Sequence, residues 1–320
     1  MPQFKYPVNV SSVPQLSVFR YPGGKTWFVP YFRLWLKSKQ PRPKLLCEPF
    51  GGGGIIGLTC AAEKLSSKVH INELDPIVAA VWHTILSVDY EWLCNRITTF
   101  DLTYDNVVEV LSSSTDDTKS RAFKTILRNR CGHGGILAEG GGLLKHGENG
   151  KGISSRWYPK TLDKRIRTIN SMKEIIQFTQ EDALEVIEKY RGDNSVSYFV
   201  DPPYTAGRNG KRAGKRLYRY SDIDHERLFQ LMSEVKGDYL ITYDNDPEVL
   251  ELATGNRMNT ALIPMKNTHN TQMNELIISN SIQWMEEDEF SQESSQTELF
   301  SHQSRTNLDM EFTESLITKQ

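Results

Sequence analysis

Four consecutive residues, Asp201-Pro202-Pro203-Tyr204, combine groups that can take part in chemistry. They follow the apolar run Ser197–Val200, whose short, β-branched and aromatic character is typical of a buried strand. The two prolines end that strand, because neither has an N–H to donate and each fixes its own φ. The sequence therefore predicts a carboxylate, a carbonyl oxygen and an aromatic ring at the carboxyl edge of a sheet, where open α/β folds bind their ligands.

A glycine loop lies between a second predicted strand and a helix. Lys44–Phe50 has a short buried-strand pattern, four glycines occupy 51–54, and Ile55–Ala62 has helical character. Such a loop exposes the N–H groups at the start of the helix to a ligand. The next predicted strand, Lys68–Asn72, ends at Glu73, about 20 residues after the loop, where an acid can accept hydrogen bonds from ribose hydroxyls. Together these elements predict a cofactor that contains adenosine; the alternative is an accidental acid at a strand end.

A Gly-Gly turn ending in a lysine comes before both motifs. Residues 21–25 are Tyr-Pro-Gly-Gly-Lys, and the apolar, aromatic stretch Trp27–Leu36 after them is predicted to be helical. Paired glycines let a backbone approach a ligand closely, and Lys25 could neutralise a carboxylate or a phosphate. Taken alone, this turn is compatible with many loops.

Strands and helices alternate again after residue 175. Ile175–Thr179 is predicted to be a strand and Ala183–Tyr190 a helix, and Asp182 between them could either cap that helix or serve in a site. Further along, the pattern predicts a helix at 222–236 and strands at 238–243, 261–265 and 275–279. The last two are closely joined and should form an antiparallel hairpin at the edge of a mostly parallel sheet. The predicted fold class is therefore α/β.

Between residues 85 and 175 the alternation lapses. Helical segments surround a glycine-rich loop, with nine glycines from Gly132 to Gly152, and bases are interleaved with aromatics at 156–160. We interpret 85–175 as an inserted, mainly helical module that binds nucleic acid through its phosphates and offers loop residues to base edges. Its candidate DNA-binding residues are Arg128, Arg130 and Arg156. The catalytic domain would then comprise 1–84 and 176–285.

Charge is distributed unevenly along the 320 residues, whose formal net charge is −2. Six bases and no acid lie at 208–219, whereas nine acids accompany the single base Arg305 at 286–318. The basic run suits phosphates, although a solvated face is the alternative. The tail at 286–320 is predicted to be disordered. The basic run adds four candidate DNA-binding residues, Lys211, Arg212, Lys215 and Arg216.

Several protein classes do not fit the composition. Apolar runs are too short to cross a membrane, and the first residues lack the layout of a signal peptide. The four cysteines are widely spaced and predict neither a metal site nor a disulfide framework. We therefore expect a soluble cytoplasmic protein, a monomer without a metal.

Taken together in their order, the motifs resemble the Dam-type family of adenine-specific DNA methyltransferases, which use S-adenosylmethionine. The resemblance covers 19–280 and is carried by YPGGK at 21–25, CEPFGGGG at 47–54, INELDP at 71–76 and FVDPPY at 199–204. SDIDHERL at 221–228 and NELIISN at 274–280 are similar to the closing helix and strand of the family. The resemblance implies a Rossmann-like methyltransferase sheet with an inserted DNA-recognition domain.

The resemblance also implies roles for individual residues. Lys25 would lie near the methionine end of the cofactor, Glu73 would bind the ribose where the family usually has aspartate, and Asp182 would bind the adenine amino group of the cofactor. The remaining candidate cofactor-binding residues are Tyr21, Gly24, Glu48, Phe50, Gly52, Gly54 and Asp201. The implied catalytic residues are Asp201, Pro202 and Tyr204.

These residue types suit methyl transfer to an exocyclic nitrogen. The Asp201 carboxylate and the Pro202 carbonyl would each accept one N–H of the target adenine, which aims the nitrogen lone pair at the methyl group. The adenine must first be flipped out of the duplex, and Tyr204 would stack on it. Bases at 211–219 would form a flap on the adjacent phosphates.

Two other functions remain open on sequence grounds. An amino-methyltransferase that acts on RNA or protein is one, although those enzymes more often have Asn-Pro-Pro-Tyr. A non-catalytic DNA-binding or clamp-associated protein is the other. Gln296–Phe300 in the tail is similar to the short peptides that dock onto the bacterial DNA sliding clamp.

Overall fold

Seven strands form one sheet in the computed structural model, which describes residues 10–11, 13–20, 24–114, 117–137, 142–145, 150–204, 222–266 and 272–285. The chain forms two compact units, Met1–Asn280, which holds the sheet, and Ser281–Gln320, of which a 3₁₀ turn at Gln283–Met285 is described. The strands are β1 Leu45–Glu48, β2 Lys68–Asn72, β3 Ile176–Thr179, β4 Val196–Val200, β5 Asp238–Asp244, β6 Asn259–Lys266 and β7 Gln272–Ser279.

Some predictions lie outside the described residues. These concern Tyr21, the four bases Lys211, Arg212, Lys215 and Arg216, the tail at 286–320 and its peptide Gln296–Phe300.

The sheet has the order β3-β2-β1-β4-β5-β7-β6. β1 pairs in parallel with both β2 and β4, and β3 and β5 extend the parallel part on either side. β7 pairs antiparallel with β5 and with β6, so that the predicted hairpin closes one edge. The α/β fold class, a Rossmann-like and mostly parallel sheet with an antiparallel edge hairpin, is confirmed. The strand order reverses between β1 and β4, and open sheets of this kind bind ligands beside such a reversal.

Ten α-helices lie among the described residues. They are α1 Val29–Lys37, α2 Ile55–Ala62, α3 Pro76–Leu86, α4 Tyr90–Thr99, α5 Tyr104–Ser112, α6 Thr118–Cys131, α7 Pro159–Ser171, α8 Ala183–Tyr190, α9 His225–Glu234 and α10 Pro247–Gly255. The helix predicted at 222–236 is shorter than expected, because the Asp224 side chain accepts a hydrogen bond from the Arg227 N–H and so caps α9 at its start. The helix expected from Trp27 begins as a 3₁₀ turn at Lys25–Phe28.

β4 lies at the centre of the core and is buried along its whole length. Side chains alternate between the two faces of a strand. The Phe199 ring centroid is 5.6 Å from that of Phe28, the last residue of the 3₁₀ turn, and 6.0 Å from that of Phe32 in α1. Tyr198 and Val200 belong to the opposite apolar layer with α8 and α9. Packing on both faces of β4 therefore fixes the position of Asp201, the residue that follows this strand.

The inserted segment is helical, as expected. α6 and α7 pack on α3, and α4 and α5 pack on α6. Phe100, Phe123 and Trp157 form a small aromatic core with edge-to-face contacts at 5.2–6.4 Å between ring centroids. Because α3 contacts both the sheet and the insertion, the domain boundary at residue 85 stays a prediction.

No helix in the described part of the chain has the length and apolar character needed to cross a membrane.

Candidate active site

The carboxyl ends of β1, β2 and β4 open onto one cavity of about 610 Å³, a size typical of ligand sites. Glu48 is the last residue of β1, and Glu73 and Asp201 follow the ends of β2 and β4; all three line the cavity. The glycines at 51–54 lie in its wall, as do Phe50, Gly24 and Lys25. The parallel strands therefore bring together three motifs that are far apart in the sequence.

The glycine loop is fixed to the end of β2 by main-chain and side-chain hydrogen bonds. Gly51 N–H donates to the Asn72 carbonyl at 2.7 Å, and Gly52 N–H donates to Glu73 Oε2 at 2.9 Å. Gly54 has φ +63°, and a Cβ at this position would lie 2.6 Å from the Trp82 ring. Gly54 is therefore required both by the backbone conformation and by the space available at the start of α2.

Glu73 connects the loop to the start of the next helix. Its Oε1 accepts the Asp75 N–H at 2.8 Å, and Oε2 accepts the bond from Gly52. Burial raises the pKa of Glu73 to about 7, although these backbone hydrogen bonds favour the ionised form. Each carboxylate oxygen has a second lone pair and can also accept a hydroxyl.

Glu48 and Asp182 have structural contacts in addition to lining the cavity. Glu48 is buried, and its Oε2 accepts the Gly57 N–H of α2 at 2.8 Å. Burial, together with the nearby Asp201 charge, raises the pKa of Glu48 to about 8. Asp182 Oδ1 accepts the Leu184 N–H at 2.8 Å and caps α8. The capping role of Asp182 is therefore present, and its side chain is also exposed to the cavity.

Asp201 lies in a buried cluster of polar side chains, here called the Lys25 cluster: Lys25, Asp201, Tyr204, Thr242 and Glu275. Lys25 Nζ is 2.8 Å from Asp201 Oδ1 and 3.2 Å from Glu275 Oε1. Asp201 Oδ1 also accepts the hydroxyls of Tyr204 and Thr242, each at 2.8 Å. Lys25 and Thr242 thus donate to one carboxylate oxygen, and the single Tyr204 proton is shared between this oxygen and Glu275 Oε1 at 2.6 Å. These contacts fix the orientation of Asp201.

The cluster contains one cation and two carboxylates. Burial alone would lower the pKa of Lys25, but Asp201 and Glu275 raise it above the ordinary value, so Lys25 remains charged. Burial raises the pKa of Glu275, and Lys25 opposes this effect. The Tyr204 hydroxyl is 2.6 Å from Glu275 Oε1 and 2.7 Å from Lys25 Nζ. Burial and the two carboxylates hold the pKa of Tyr204 well above its usual value, so the hydroxyl remains a donor.

The ring of Tyr204 stacks on Tyr243 of β5. Their centroids are 5.4 Å apart and their planes differ by 25°. Lys25 Nζ is 4.9 Å from the centroid of Tyr204 but only 2.7 Å from its hydroxyl, so the ammonium lies at the hydroxyl end of the ring. Tyr243 in turn contacts His225, whose Nδ1 is 2.7 Å from the Tyr243 hydroxyl. Tyr204 is therefore supported on one face and held at its polar end.

The three arginines predicted in the insertion have different environments. Arg130 is only 4 % exposed, and its Nη2 donates to the Val18 carbonyl. Arg130 and Arg156 line the cavity, whereas Arg128 is half-buried and is not among the lining residues. The structure thus brings two of the three to the same cavity as Asp201.

A family model described as D12 class N6 adenine-specific DNA methyltransferase matches residues 21–290. The chain belongs to this family. The match confirms the resemblance to the Dam-type adenine methyltransferases, and methyl transfer is the chemistry of the family.

Solved structures of other methyltransferases are also similar to this chain. A putative RNA methyltransferase from Pyrococcus horikoshii is 10 % identical, with a TM-score of 0.35, and the match covers 87 % of this chain and 91 % of that one. The rRNA methyltransferase aviRa from Streptomyces viridochromogenes is 12 % identical, with a TM-score of 0.38, covering 86 % of this chain and 93 % of that one. No curated protein sequence matches significantly.

Three residues that contact Asp201, Tyr204 or Lys25 were not predicted as site residues: Thr242, Tyr243 and Glu275. All three lie in strands that were predicted, but only as strands. The signal for Glu275 was present, because an acid directly before the apolar run Leu276–Ile278 is unusual in a buried strand. Its partners could not be inferred, since they depend on the position of β7 beside β5.

The Lys25 cluster predicts a large and pH-dependent loss of stability when its cation is removed. Lys25→Met leaves the buried carboxylate of Glu275 and the partly buried carboxylate of Asp201 without their shared partner, which should lower the free energy of unfolding by about 3–5 kcal/mol. Because burial raises the pKa of Glu275, its protonation in the variant should reduce this loss as the pH falls. Urea unfolding over a range of pH measures both effects.

Lys119→Met provides the matched control. Lys119 pairs with Asp89 at 3.6 Å on the surface, so its removal should change stability by less than about 1 kcal/mol. Equal losses for the two variants, or a Lys25→Met loss that does not vary with pH, would contradict this description of the cluster.

Proposed function

We propose that this chain transfers a methyl group from S-adenosylmethionine to the exocyclic amino group of adenine within a short sequence of duplex DNA. The supporting observation is that the carboxylate of Asp201 opens onto the same cavity as the glycine loop and Glu73. Family membership supports the reaction class, and the geometry supports the roles of the residues.

The residues around the cavity suit the cofactor, which supplies an electrophilic methyl group when bound. Glu73 has acceptor oxygens suited to ribose hydroxyls, and Asp182 retains acceptor capacity for an adenine amino group beyond the oxygen that caps α8. The glycine loop with Gly52 and Gly54 and the ring of Phe50 would enclose the adenosine. Glu48 holds α2 in place. Tyr21, Gly24 and Lys25 would lie towards the methionine end.

Lys25 would act on the cofactor only indirectly in this proposal. Its charge is already balanced by Asp201 and Glu275, at 2.8 and 3.2 Å. The main role of Lys25 would therefore be to hold the Asp201 carboxylate in place at the carboxyl end of β4.

Asp201 and Pro202 would activate the target nitrogen. All the described hydrogen bonds to the Asp201 carboxylate reach Oδ1, which leaves Oδ2 to accept one N–H of the adenine amino group. The Pro202 carbonyl would accept the other. Two fixed acceptors draw the nitrogen towards tetrahedral geometry and direct its lone pair outward, which is a positioning and electrostatic effect.

Tyr204 would stack on the flipped adenine with the face that points away from Tyr243. A ring already supported by Tyr243 and held through its hydroxyl loses little further freedom when a base binds. Base–aromatic stacking contributes roughly 1–3 kcal/mol, comparable with the cost of extruding a base.

DNA is the acceptor that the chain supports best. Its family acts on DNA adenine, and Arg130 and Arg156 bring positive charge to the cavity. The insertion at 85–175, with Arg128 and the bases Lys211, Arg212, Lys215 and Arg216, would bind the remaining phosphates. The alternatives are methylation of RNA or protein and DNA binding without catalysis. The following experiment distinguishes both of them from methylation of DNA.

Expression in a host without adenine methylation tests the proposal. Single-molecule sequencing of the host genome should detect N6-methyladenine at one short sequence with the wild-type chain and none with Asp201→Ala. Asp193→Ala is the matched control, because this exposed aspartate only caps a turn at Ser195 and should leave the pattern unchanged. Unmethylated DNA with the wild type, or methylation that survives Asp201→Ala, would refute the proposal.

We also propose that the tail docks onto the DNA sliding clamp through Gln296–Phe300, with the chain otherwise a monomer. The motivation is the sequence of this peptide alone. A pull-down with purified clamp should recover the full-length chain, and Leu299→Ala with Phe300→Ala should reduce recovery to background. Equal recovery of the wild-type chain and the variant would contradict docking through this peptide.

A further inference from the structure

Four arginines surround one side of the cavity that contains Asp201. Arg20 comes from the segment before the first helix, Arg130 from the end of α6, Arg156 from the turn before α7, and Arg165 from α7. We call these residues the arginine cluster. Arg20 directly precedes the turn at 21–25 and Arg165 lies in the basic run at 164–167, but neither was predicted as a site residue.

The cluster is held in place by hydrogen bonds to the segment Ser17–Arg20. Arg165 Nη1 donates to the Ser17 carbonyl at 2.8 Å, and Arg130 Nη2 donates to the Val18 carbonyl. Asn129 binds the main chain of Arg20 on both sides, accepting its N–H at 2.8 Å and donating to its carbonyl at 2.9 Å. These bonds fix the side chains of Arg130 and Arg165 and the main chain of Arg20 beside the cavity.

The positive charges of Arg20, Arg130 and Arg165 are not neutralised by an ion pair within the described part of the protein. None of the described carboxylates forms an ion pair with Arg20, Arg130 or Arg165. Arg20 Nη1 and Arg130 Nε are buried without a hydrogen-bond partner among these residues. Burial lowers the pKa of Arg130 to about 9, and the charges of Arg165, Arg20 and Arg156 contribute. Like charges buried together without an anion are unfavourable, so the arrangement fits an anionic ligand.

We propose that the arginine cluster binds the DNA phosphates that flank the flipped adenine. This inference rests on the proposed function. A nucleotide turned into the cavity carries its own phosphates to the cavity mouth, where the protein must neutralise them. Guanidinium groups match the geometry of phosphate oxygens with paired N–H donors. In this proposal Arg20 and Arg165 are DNA-binding residues. Arg130 and Arg156 contact phosphates of the strand that carries the target adenine.

Arg20→Gln and Arg165→Gln test this assignment. The probe is a duplex that contains the methylated sequence, with 2-aminopurine in place of the target adenine. Each variant should bind this duplex about tenfold more weakly and reduce the slope of log affinity against log salt by about 1. The fluorescence increase that reports base flipping should also decrease, whereas S-adenosylmethionine affinity should remain within about twofold of wild type, since the lost contacts are to DNA.

Arg167→Gln is the matched control. This arginine lies on α7 two residues from Arg165, but it pairs with Asp163 at 3.0 Å on the surface. Wild-type DNA affinity and salt slope in both cluster variants would overturn the inference while leaving the proposed function intact. Reduced affinity for S-adenosylmethionine with unchanged DNA binding would assign the cluster to the cofactor carboxylate and would also overturn it. A wild-type chain that binds neither this duplex nor unmethylated genomic DNA would refute the proposed function itself.

Discussion

The ion pairs that Lys25 makes with Asp201 and Glu275 are the interaction on which the candidate site depends. Lys25 and Glu275 have side chains only 6 % exposed, and Asp201 is 24 % exposed. A buried charge is tolerated only when it is paired and hydrogen-bonded. Lys25 precedes α1, Asp201 follows β4, and Glu275 lies in β7. One lysine therefore ties three distant parts of the chain to the edge of the sheet and leaves Asp201 oriented at the cavity.

Much of the fold could be predicted because its strands carry a strong local signal. β1, β2 and β4 are short apolar runs followed by glycine, an acid or proline, and their parallel pairing places those residues at one edge. The edge hairpin of β6 and β7 was also predictable from its short connection. The start of α9 was not, since Asp224 is one of two aspartates that could cap that helix, and only the tertiary structure selects it.

The polar partners inside the site were harder to predict than the motifs. Thr242 and Glu275 contact Asp201 or Lys25 only because β5 and β7 pair antiparallel beside β4, and no local pattern encodes that geometry. Arg20 and Arg165 illustrate the same limit. They meet because Asn129, Arg130 and Arg165 bind the segment Ser17–Arg20, which leads into the loop before Lys25. The inserted helices and Lys25 are thus connected through one short segment of chain.

In the proposed reaction, Asp201, held by Lys25, accepts a hydrogen bond from the amino group of a flipped adenine. A crystal structure with a non-reactive cofactor analogue and a duplex that contains the methylated sequence tests this most directly. The adenine N6 should lie within about 2.6–3.2 Å of both an Asp201 carboxylate oxygen and the Pro202 carbonyl, with the base stacked on Tyr204. An adenine amino group bound away from Asp201, or a Tyr204 ring packed on the cofactor instead of the base, would contradict it.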